Sequence, residues 1–207
     1  MIVRAPAKIN LSLRVLGKRD DGFHALETLV LPLPDLADTL HFEKAAEFSL
    51  QCEQEGVPTD ESNLVSRALR LFEKNTGLHC PWRIQLEKKI PHGAGLGGGS
   101  SDAASTFLAL NELHETHLSL ETLATWAAEL GSDIPLFLYE SVCRCTGRGE
   151  IIEPVDLTWP HPLLLVKPAF DIPTPWAYQQ WRESRELPGI SYAPQDVDGL
   201  SLENDLE

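Results

Sequence analysis

The sequence predicts an α+β fold, in which helices pack on a sheet. Apolar and polar residues alternate through much of residues 9–43, as in strands, and apolar residues recur at helical spacing after residue 62. A glycine-rich run then separates one further strand from one further helix. At 207 residues, the chain can bury a substantial core as one large domain, or as one domain and part of a second.

The amino-terminal part is predicted to form a sheet. Residues 9–15 alternate between apolar and polar side chains, and this period of two places Lys8 and Asn10 together on the polar face. After the turn-rich segment GKRDDG, two more strands are predicted at residues 25–33 and 38–43, on either side of a Pro-Asp pair.

Three helices are predicted in the middle of the chain. The first begins at Ser62 and ends at Gly77, and a strand at residues 82–87 leads from it into the glycine run. The second helix begins at Ser100, directly after the glycines, and the third covers Leu120–Leu130. These two helices follow each other without a predicted strand between them.

A change in composition marks a predicted domain boundary. Residues 158–162 contain proline and tryptophan and precede the apolar stretch LLLV, residues 163–166, which is predicted to be a strand. We therefore divide the chain into a first domain, residues 1–158, and the start of a second, residues 159–207.

The composition argues against several classes of partner. A net charge of −14 and an isoelectric point near 4.9 argue against a general affinity for nucleic acid or an anionic membrane, which clustered Lys and Arg would provide. No apolar run is long enough to span a bilayer, and the segment MIVRAPAKIN lacks the apolar core of a signal peptide. A cytoplasmic location is the resulting expectation.

The four cysteines are expected to be reduced thiols rather than metal ligands or disulfide partners, because none are spaced as CxxC. They are Cys52, Cys80, Cys143 and Cys145. The last two are two residues apart, so in a strand their side chains would lie on the same face.

The glycine run, IPHGAGLGGGSSDAAS at residues 90–105, is predicted to bind phosphate. A Walker A motif requires Lys before Ser or Thr, whereas here Ser100 follows Gly99 directly. A dinucleotide-binding GxGxxG is present, but a βαβ unit is not predicted around it, and a flexible linker is disfavoured because strand and helix abut the run. The start of a helix carries free N–H groups and partial positive charge, which suits phosphate.

The stretch PHGAGLGGGSSDAA resembles the phosphate-binding motif of the GHMP kinase superfamily, whose members transfer the γ-phosphoryl group of ATP to small alcohols. APAKINLSLRVLGKRDDGFHALETL, GSDIPLFL and LENDLE are similar to the branch that phosphorylates CDP-methylerythritol in the methylerythritol phosphate route to isoprenoids. This resemblance covers residues 5–207 and implies the GHMP kinase fold. An amino-terminal domain like domain 2 of ribosomal protein S5 would be followed by a partial ferredoxin-like domain, with the active site between them.

The resemblance implies that Asp133 is the catalytic base and that Lys8 lies beside it near the 2-hydroxyl that accepts the phosphoryl group. From the residues alone, an aspartate at this position is more often a helix cap, and Lys8 would be a solvated strand residue. ATP is the implied cosubstrate, and magnesium is expected with it, although the sequence shows no metal-ligand pattern.

The resemblance also implies an ATP site made by the glycine run and by a short segment near the adenine. Its residues are Pro91, Gly93, Gly95, Leu96, Gly97, Gly98, Gly99, Ser100, Ser101, Asn63 and Leu64. Leu64 also fits the apolar stripe of its own helix, so a core position is the alternative for it.

The substrate site implied by the resemblance comprises Asn10, Phe23, His24, Asp133, Thr174 and Tyr178. In the family, an aromatic ring at the position of Phe23, usually Tyr, stacks on cytosine, and the histidine bonds the polar edge of the base. Tyr178 would be the second aromatic wall. The alternative for Tyr178 is a position partly in the core of an amphipathic helix.

Family members continue beyond the LENDLE segment, so the sequence is expected to be a fragment rather than a natural short form, and residues 163–166 would lack their sheet partners. Two other functions remain open from the sequence. One is a GHMP kinase for another small alcohol, and the other is a nucleotide-binding protein without catalysis. The oligomeric state cannot be predicted from the sequence.

Overall fold

The computed structural model describes residues 1–168, 170, 174–181 and 192–206. The strands in this part are β1 (Ile2–Lys18), β2 (His24–Lys44), β3 (Ser49–Cys52), β4 (Trp82–Glu87), β5 (Cys143–Gly147), β6 (Ile151–Pro154), β7 (Gln195–Val197) and β8 (Leu200–Leu202). The helices are α1 (Leu64–Thr76), α2 (Gly98–Leu113), α3 (Leu120–Leu130), a short 3-10 helix (Pro135–Leu138) and α4 (Thr174–Gln180).

The main sheet is organised around β2, with which three other strands pair. β1 runs antiparallel to β2 along nearly its whole length, from Ile2 opposite His41 to Lys18 opposite His24. β4 and β5 pair with the carboxy-terminal and amino-terminal parts of β2, both antiparallel. β3 lies parallel to β4, and β6 lies antiparallel to β5. A mixed sheet covered by helices confirms the predicted α+β class.

The prediction of two strands at residues 25–33 and 38–43 is wrong, because the structure has one continuous strand there. The register with β1 shifts between Pro6 and Ala7, and residues 34–36 of β2 are left out of the pairing. Proline has no N–H group to donate to a ladder, and this bulge accommodates one without ending the strand.

The predicted strand at residues 163–166 is also wrong. These residues have no regular structure, and no strand of the described part pairs with them. Leu164 is 88% exposed and Val166 is 80% exposed. An apolar pattern indicates a strand only where a neighbouring strand supplies hydrogen bonds, and none does so here.

Five short strands, β3 and β5 to β8, were not predicted. In β5, both Cys143 and Cys145 are buried, which places them on one face as the spacing indicates. All four cysteines are free. Strands of three to five residues give too few repeats of an alternating pattern to stand out in a sequence.

The first three helices confirm the predicted order. α1 begins two residues later than predicted, after Asn63, whose side chain caps Val65 N–H, and it ends at Gly77 with φ 71°. α3 has the predicted bounds and is capped by Ser119. α1 and α2 pack against each other, and the core between helices and sheet includes fully buried Phe72 and Phe107.

The carboxy-terminal residues of the described part lie along the free edge of β1. Asn204 forms a parallel bridge with Leu13, whose N–H donates to Glu203 O at 2.7 Å. The side chain of Asp205 accepts the N–H of Val15 at 2.6 Å. Among the described residues, the helices are too short or too polar to cross a membrane.

Candidate active site

The glycine run forms an exposed loop that ends in the first turn of α2. Gly93, Gly95 and Gly97 have φ values of 67°, 69° and 72°, a conformation that side chains with Cβ rarely adopt. Gly97 is also closely packed, since a Cβ placed on it would lie 2.5 Å from Phe137 Cζ. The residue types of the loop are therefore set by its backbone conformation and by its neighbours.

The amino terminus of α2 is suited to bind an anion. Its N-cap residue is Gly97, and no side chain of the described residues caps the first turn. The free N–H groups of that turn and the helix dipole together favour phosphate. Ser100, in the same turn, lines a neighbouring cavity of about 410 Å³.

Lys8 connects this loop to the sheet. Its backbone N–H donates to Leu96 O at 3.0 Å, and its ammonium donates to Asn10 Oδ1 at 2.6 Å. Asn10 in turn donates to Thr28 Oγ1 at 2.6 Å. This chain of hydrogen bonds confirms that Lys8 and Asn10 share one face of β1, and it adds Thr28, which sequence reasoning missed.

Lys8 is only 9% exposed, so the alternative of a solvated strand residue is wrong. Burial lowers the pKa of Lys8, while the nearby carboxylate of Asp133 acts in the opposite direction. The two side chains line the same cavity, and the Lys8 ammonium donates its hydrogen bond to Asn10. An ammonium and a carboxylate are thus available on either side of a space open to a ligand.

Asp133 lies in the exposed turn before the 3-10 helix. The N-cap of that helix is Ile134, so the alternative of Asp133 as a cap is also wrong. Ser132 Oγ donates to Asp133 Oδ1 at 3.4 Å. Gly149 lies beside this carboxylate, since a Cβ placed on Gly149 would be 3.4 Å from Asp133 Oδ1. Both the turn and Gly149 leave the carboxylate accessible.

A second cavity, of about 380 Å³, adjoins the first and contains the aromatic residues. His24 stacks on Tyr178 with ring centroids 5.3 Å apart and an angle of 21°. Phe23 is 52% exposed, and the guanidinium of Arg148 lies 4.9 Å from the centre of its ring. Asp133 and Arg148 line both cavities, so the two spaces adjoin along shared walls, and we refer to them together as the cleft.

Tyr178 is partly buried, and this burial raises the pKa of its hydroxyl, with a smaller contribution from Asp133. Arg148 was missed by sequence reasoning. It lies in a turn between Gly147 and Gly149, both with positive φ, and Glu150 pairs with its guanidinium at 3.5 Å. A charged residue flanked by two glycines, as in GRGE, is the signal that could have identified it.

Other residues of the predicted site are not among those that line the two cavities. Asn63 caps α1 by accepting from Val65 N–H at 2.9 Å, and its amide nitrogen donates to Pro58 O in the preceding loop at 2.6 Å. Leu64 borders the loop, since its Cδ1 lies 3.7 Å from a Cβ placed on Gly99.

Ser101 is fully buried, unlike Ser100, and Pro91 is exposed at the start of the loop. Gly98 packs against Ile90 at the base of the loop. Thr174 begins α4, but its side chain lies outside the described residues.

Comparison with known proteins agrees with this geometry. Residues 63–141 match the family model of the GHMP kinases N terminal domain. The chain is 44% identical to 4-diphosphocytidyl-2-C-methyl-D-erythritol kinase of Methylacidiphilum infernorum, over 98% of this chain and 71% of the relative. It is also 44% identical to the enzyme of that name from Thermodesulfovibrio yellowstonii, over 99% of this chain and 75% of the relative.

The chain belongs to the 4-diphosphocytidyl-2-C-methyl-D-erythritol kinase family. A crystal structure of 4-(cytidine 5'-diphospho)-2C-methyl-D-erythritol kinase superposes with a TM-score of 0.71 at 37% identity, over 91% of this chain and 68% of that one. The expected family and its GHMP kinase fold are therefore confirmed. The chain spans about seven tenths of the length of these relatives of the kinase family.

Proposed function

We propose that the chain transfers the γ-phosphoryl group of ATP to the 2-hydroxyl of CDP-methylerythritol. The observation that carries this proposal is the cleft itself. Its two adjoining cavities bring together an uncapped helix amino terminus, Lys8 with Asp133, and an aromatic pocket. Family membership supports the same reaction, because the relatives carry that activity in their names.

The ATP phosphates would bind at the glycine loop and the first turn of α2. The free N–H groups there point partial positive charge at the anion, and the bare backbone of Gly95 and Gly97 lets the phosphates approach closely. Ser100 would add a hydroxyl donor from the same turn. Pro91, at the start of the loop, and Leu64, beside Gly99, would border the nucleotide.

Phosphoryl transfer mainly requires an aligned nucleophile and charges that offset those of the phosphates. Asp133 would accept the proton of the 2-hydroxyl as its oxygen attacks the γ-phosphorus. Lys8, held by Asn10, would stabilise negative charge that develops on that oxygen. The burial of Lys8 strengthens this electrostatic effect, because water screens it less.

The cytosine would bind in the second cavity, between Phe23 and Tyr178, with His24 bonding its polar edge. His24 and Tyr178 already stack on each other, so the pocket has two aromatic rings in place. Thr174 would lie in the same substrate-facing segment. Selection for cytidine nucleotides over other small alcohols would come from this pocket.

Magnesium would enter with ATP and offset the charge of its phosphates. The described residues contain no group of His, Cys, Asp or Glu that could hold a metal ion by itself, so we assign it no protein ligands. We also propose that residues 1–158 form the first domain, which the main sheet supports by ending at Pro154.

The test is ADP release by the chain with ATP and magnesium, comparing CDP-methylerythritol with homoserine and mevalonate. We expect turnover only with the cytidine substrate. Asp133→Asn should lower kcat by about a hundredfold or more, the usual effect of losing a general base. Asp156→Asn, an exposed acidic residue outside the cleft, is the matched control and should be active. Turnover with mevalonate or homoserine alone would contradict the proposal.

A further inference from the structure

Three buried ionisable side chains lie behind the glycine loop, and none of them lines the cleft. The carboxyl groups of Asp38 and Asp102 belong to side chains that are 0% and 3% exposed, and the ammonium of Lys88 between them belongs to a side chain that is 9% exposed. Lys88 Nζ donates to Asp38 Oδ2, and to Asp102 Oδ2 at 2.6 Å. We refer to Asp38, Lys88 and Asp102 as the anchoring cluster.

The anchoring cluster holds the start of the glycine loop. Asp38 Oδ1 accepts the backbone N–H of Lys89 at 2.5 Å and that of Ile90 at 2.8 Å. Ile90 is itself buried, so the chain is fixed in position just before it leaves the core. Asp38 belongs to β2, the central strand of the sheet, immediately after the bulge. The start of the loop is thereby connected to the strand that pairs with β1, β4 and β5.

The same cluster holds the end of the loop. Asp102 lies in α2, one turn after Gly98, and Lys88 connects it to Asp38. Gly98 itself packs against the cluster, since a Cβ placed on it would lie 3.2 Å from Asp38 Oδ2. Asp38 of β2 therefore holds the start of the loop directly, and it holds the end of the loop through Lys88 and Asp102.

The loop between these ends has few attachments of its own. Pro91, Gly93 and Gly95 are exposed, and β1 contacts the loop through the hydrogen bond from Lys8 N–H to Leu96 O. Glycines lose more conformational entropy on ordering than other residues, so a loop rich in them depends on fixed ends to hold a ligand-binding shape.

We propose that the anchoring cluster is a positioning device for nucleotide binding, in which Lys88 fixes the glycine loop relative to the amino terminus of α2. This inference rests on the proposed function, because it takes the loop to be the ATP site. A buried ion pair is weak support for stability by itself, and a role in fixing one arrangement is the better-attested use of such groups.

Lys88→Met tests the proposal by removing the cation while keeping much of the side-chain volume. We expect the affinity for magnesium-ATP to fall by about ten- to a hundredfold, because the loop must then be ordered at the expense of binding. The affinity for CDP, which the proposed function places in the aromatic pocket, should stay within about twofold of the wild type. Calorimetry on the folded chain measures both.

Lys89→Met is the matched control, because Lys89 is the adjacent lysine and its side chain is exposed. It should bind ATP as the wild type does. Asp102→Asn keeps an oxygen that can accept a hydrogen bond from Lys88, so its affinity for ATP should stay within about threefold of the wild type. The double variant Lys88→Met/Asp102→Asn should lose as much ATP affinity as Lys88→Met does. Only one buried carboxylate, that of Asp38, lacks its cation in the double variant, whereas Lys88→Met leaves two acidic side chains without one. The double variant therefore tests the proposal if Lys88→Met does not fold.

Amide hydrogen exchange supplies a second readout. Residues 91–100 should exchange faster in the Lys88 variants than in Lys89→Met, with β1 and β2 unchanged. Equal losses of ATP and CDP affinity, or ATP affinity unchanged in folded Lys88 variants, would overturn the proposal. Failure of the wild-type chain to bind ATP would instead overturn the proposed function, and this inference with it.

Discussion

Replacing Gly97 by alanine should destabilise the fold even without a nucleotide. The substitution requires Ala at φ 72° and places a Cβ 2.5 Å from Phe137 Cζ and 3.4 Å from Lys8 Cγ. The left-handed conformation costs about 1–2 kcal/mol and overpacking about 1–3 kcal/mol, so we expect the free energy of unfolding to fall by about 2–5 kcal/mol. Urea unfolding of the nucleotide-free chain measures this value.

Gly95→Ala is the matched control for this prediction. Gly95 has nearly the same φ, 69°, but a Cβ there meets no atom within 4 Å. Its cost should be limited to the backbone contribution of about 1–2 kcal/mol. In addition, Phe137→Leu should destabilise the Gly97→Ala variant less than it destabilises the wild type, because it relieves the contact. Equal effects of Gly95→Ala and Gly97→Ala would refute the packing argument.

Three further predictions concern charge and substrate. Burial raises the pKa of Asp102 from 3.8 to about 7, so its proton stabilises the folded state below pH 4, and this contribution is lost as the pH rises through 7. Relative to Asp102→Asn, the wild type should lose at most about 3 kcal/mol of unfolding free energy between pH 5 and pH 8, measured in urea; a constant difference would contradict the assigned pKa. Lys8→Met should lower kcat for CDP-methylerythritol by about a hundredfold with little change in the affinity for ATP, as measured by stopped-flow and binding assays. An unchanged kcat would show that Lys8 does not take part in the reaction. Phe23→Leu and Tyr178→Leu should each raise KM for CDP-methylerythritol by about tenfold without changing KM for ATP. Equal increases in the two KM values would show that the cytosine does not bind in this pocket.

The parts of the fold that the sequence predicts well are those with many repeats of a local pattern. α1 and α3 show apolar spacing over three or four turns and are bounded by Gly77 and Gly131, so their existence and ends could be predicted within two residues. The continuity of β2 could not be predicted, because the bulge that contains Pro34 depends on how β1 pairs with β2. Strands such as β3 and β6 are defined by their partners rather than by their own pattern.

Some residues of the candidate site could likewise be predicted from the sequence, and others could not. The glycine loop was evident from its composition, and the resemblance to GHMP kinases supplied Lys8, Asp133 and the aromatic residues. The burial of Lys8 could not be derived from an alternating strand, since it follows from packing against the loop and Gly97.

Thr28, Arg148 and the anchoring cluster were missed because their contacts join distant parts of the chain. Asp38 and Lys88 are 50 residues apart, and Asn10 and Thr28 are 18 apart. Apart from Arg148, which stands between two glycines, each of these residues is unremarkable beside its neighbours in sequence. Their roles follow only from the register of β2 with β1 and β4, which a single sequence does not specify.

The measurement that tests the central claim most directly is the ³¹P NMR spectrum of the products formed from ATP, magnesium and CDP-methylerythritol by this chain. The account predicts a new phosphomonoester on CDP-methylerythritol with its diphosphate intact, formed in equal amount with ADP and absent with Asp133→Asn. ADP accompanied by free phosphate alone, or no phosphomonoester on the cytidine substrate, would contradict the account.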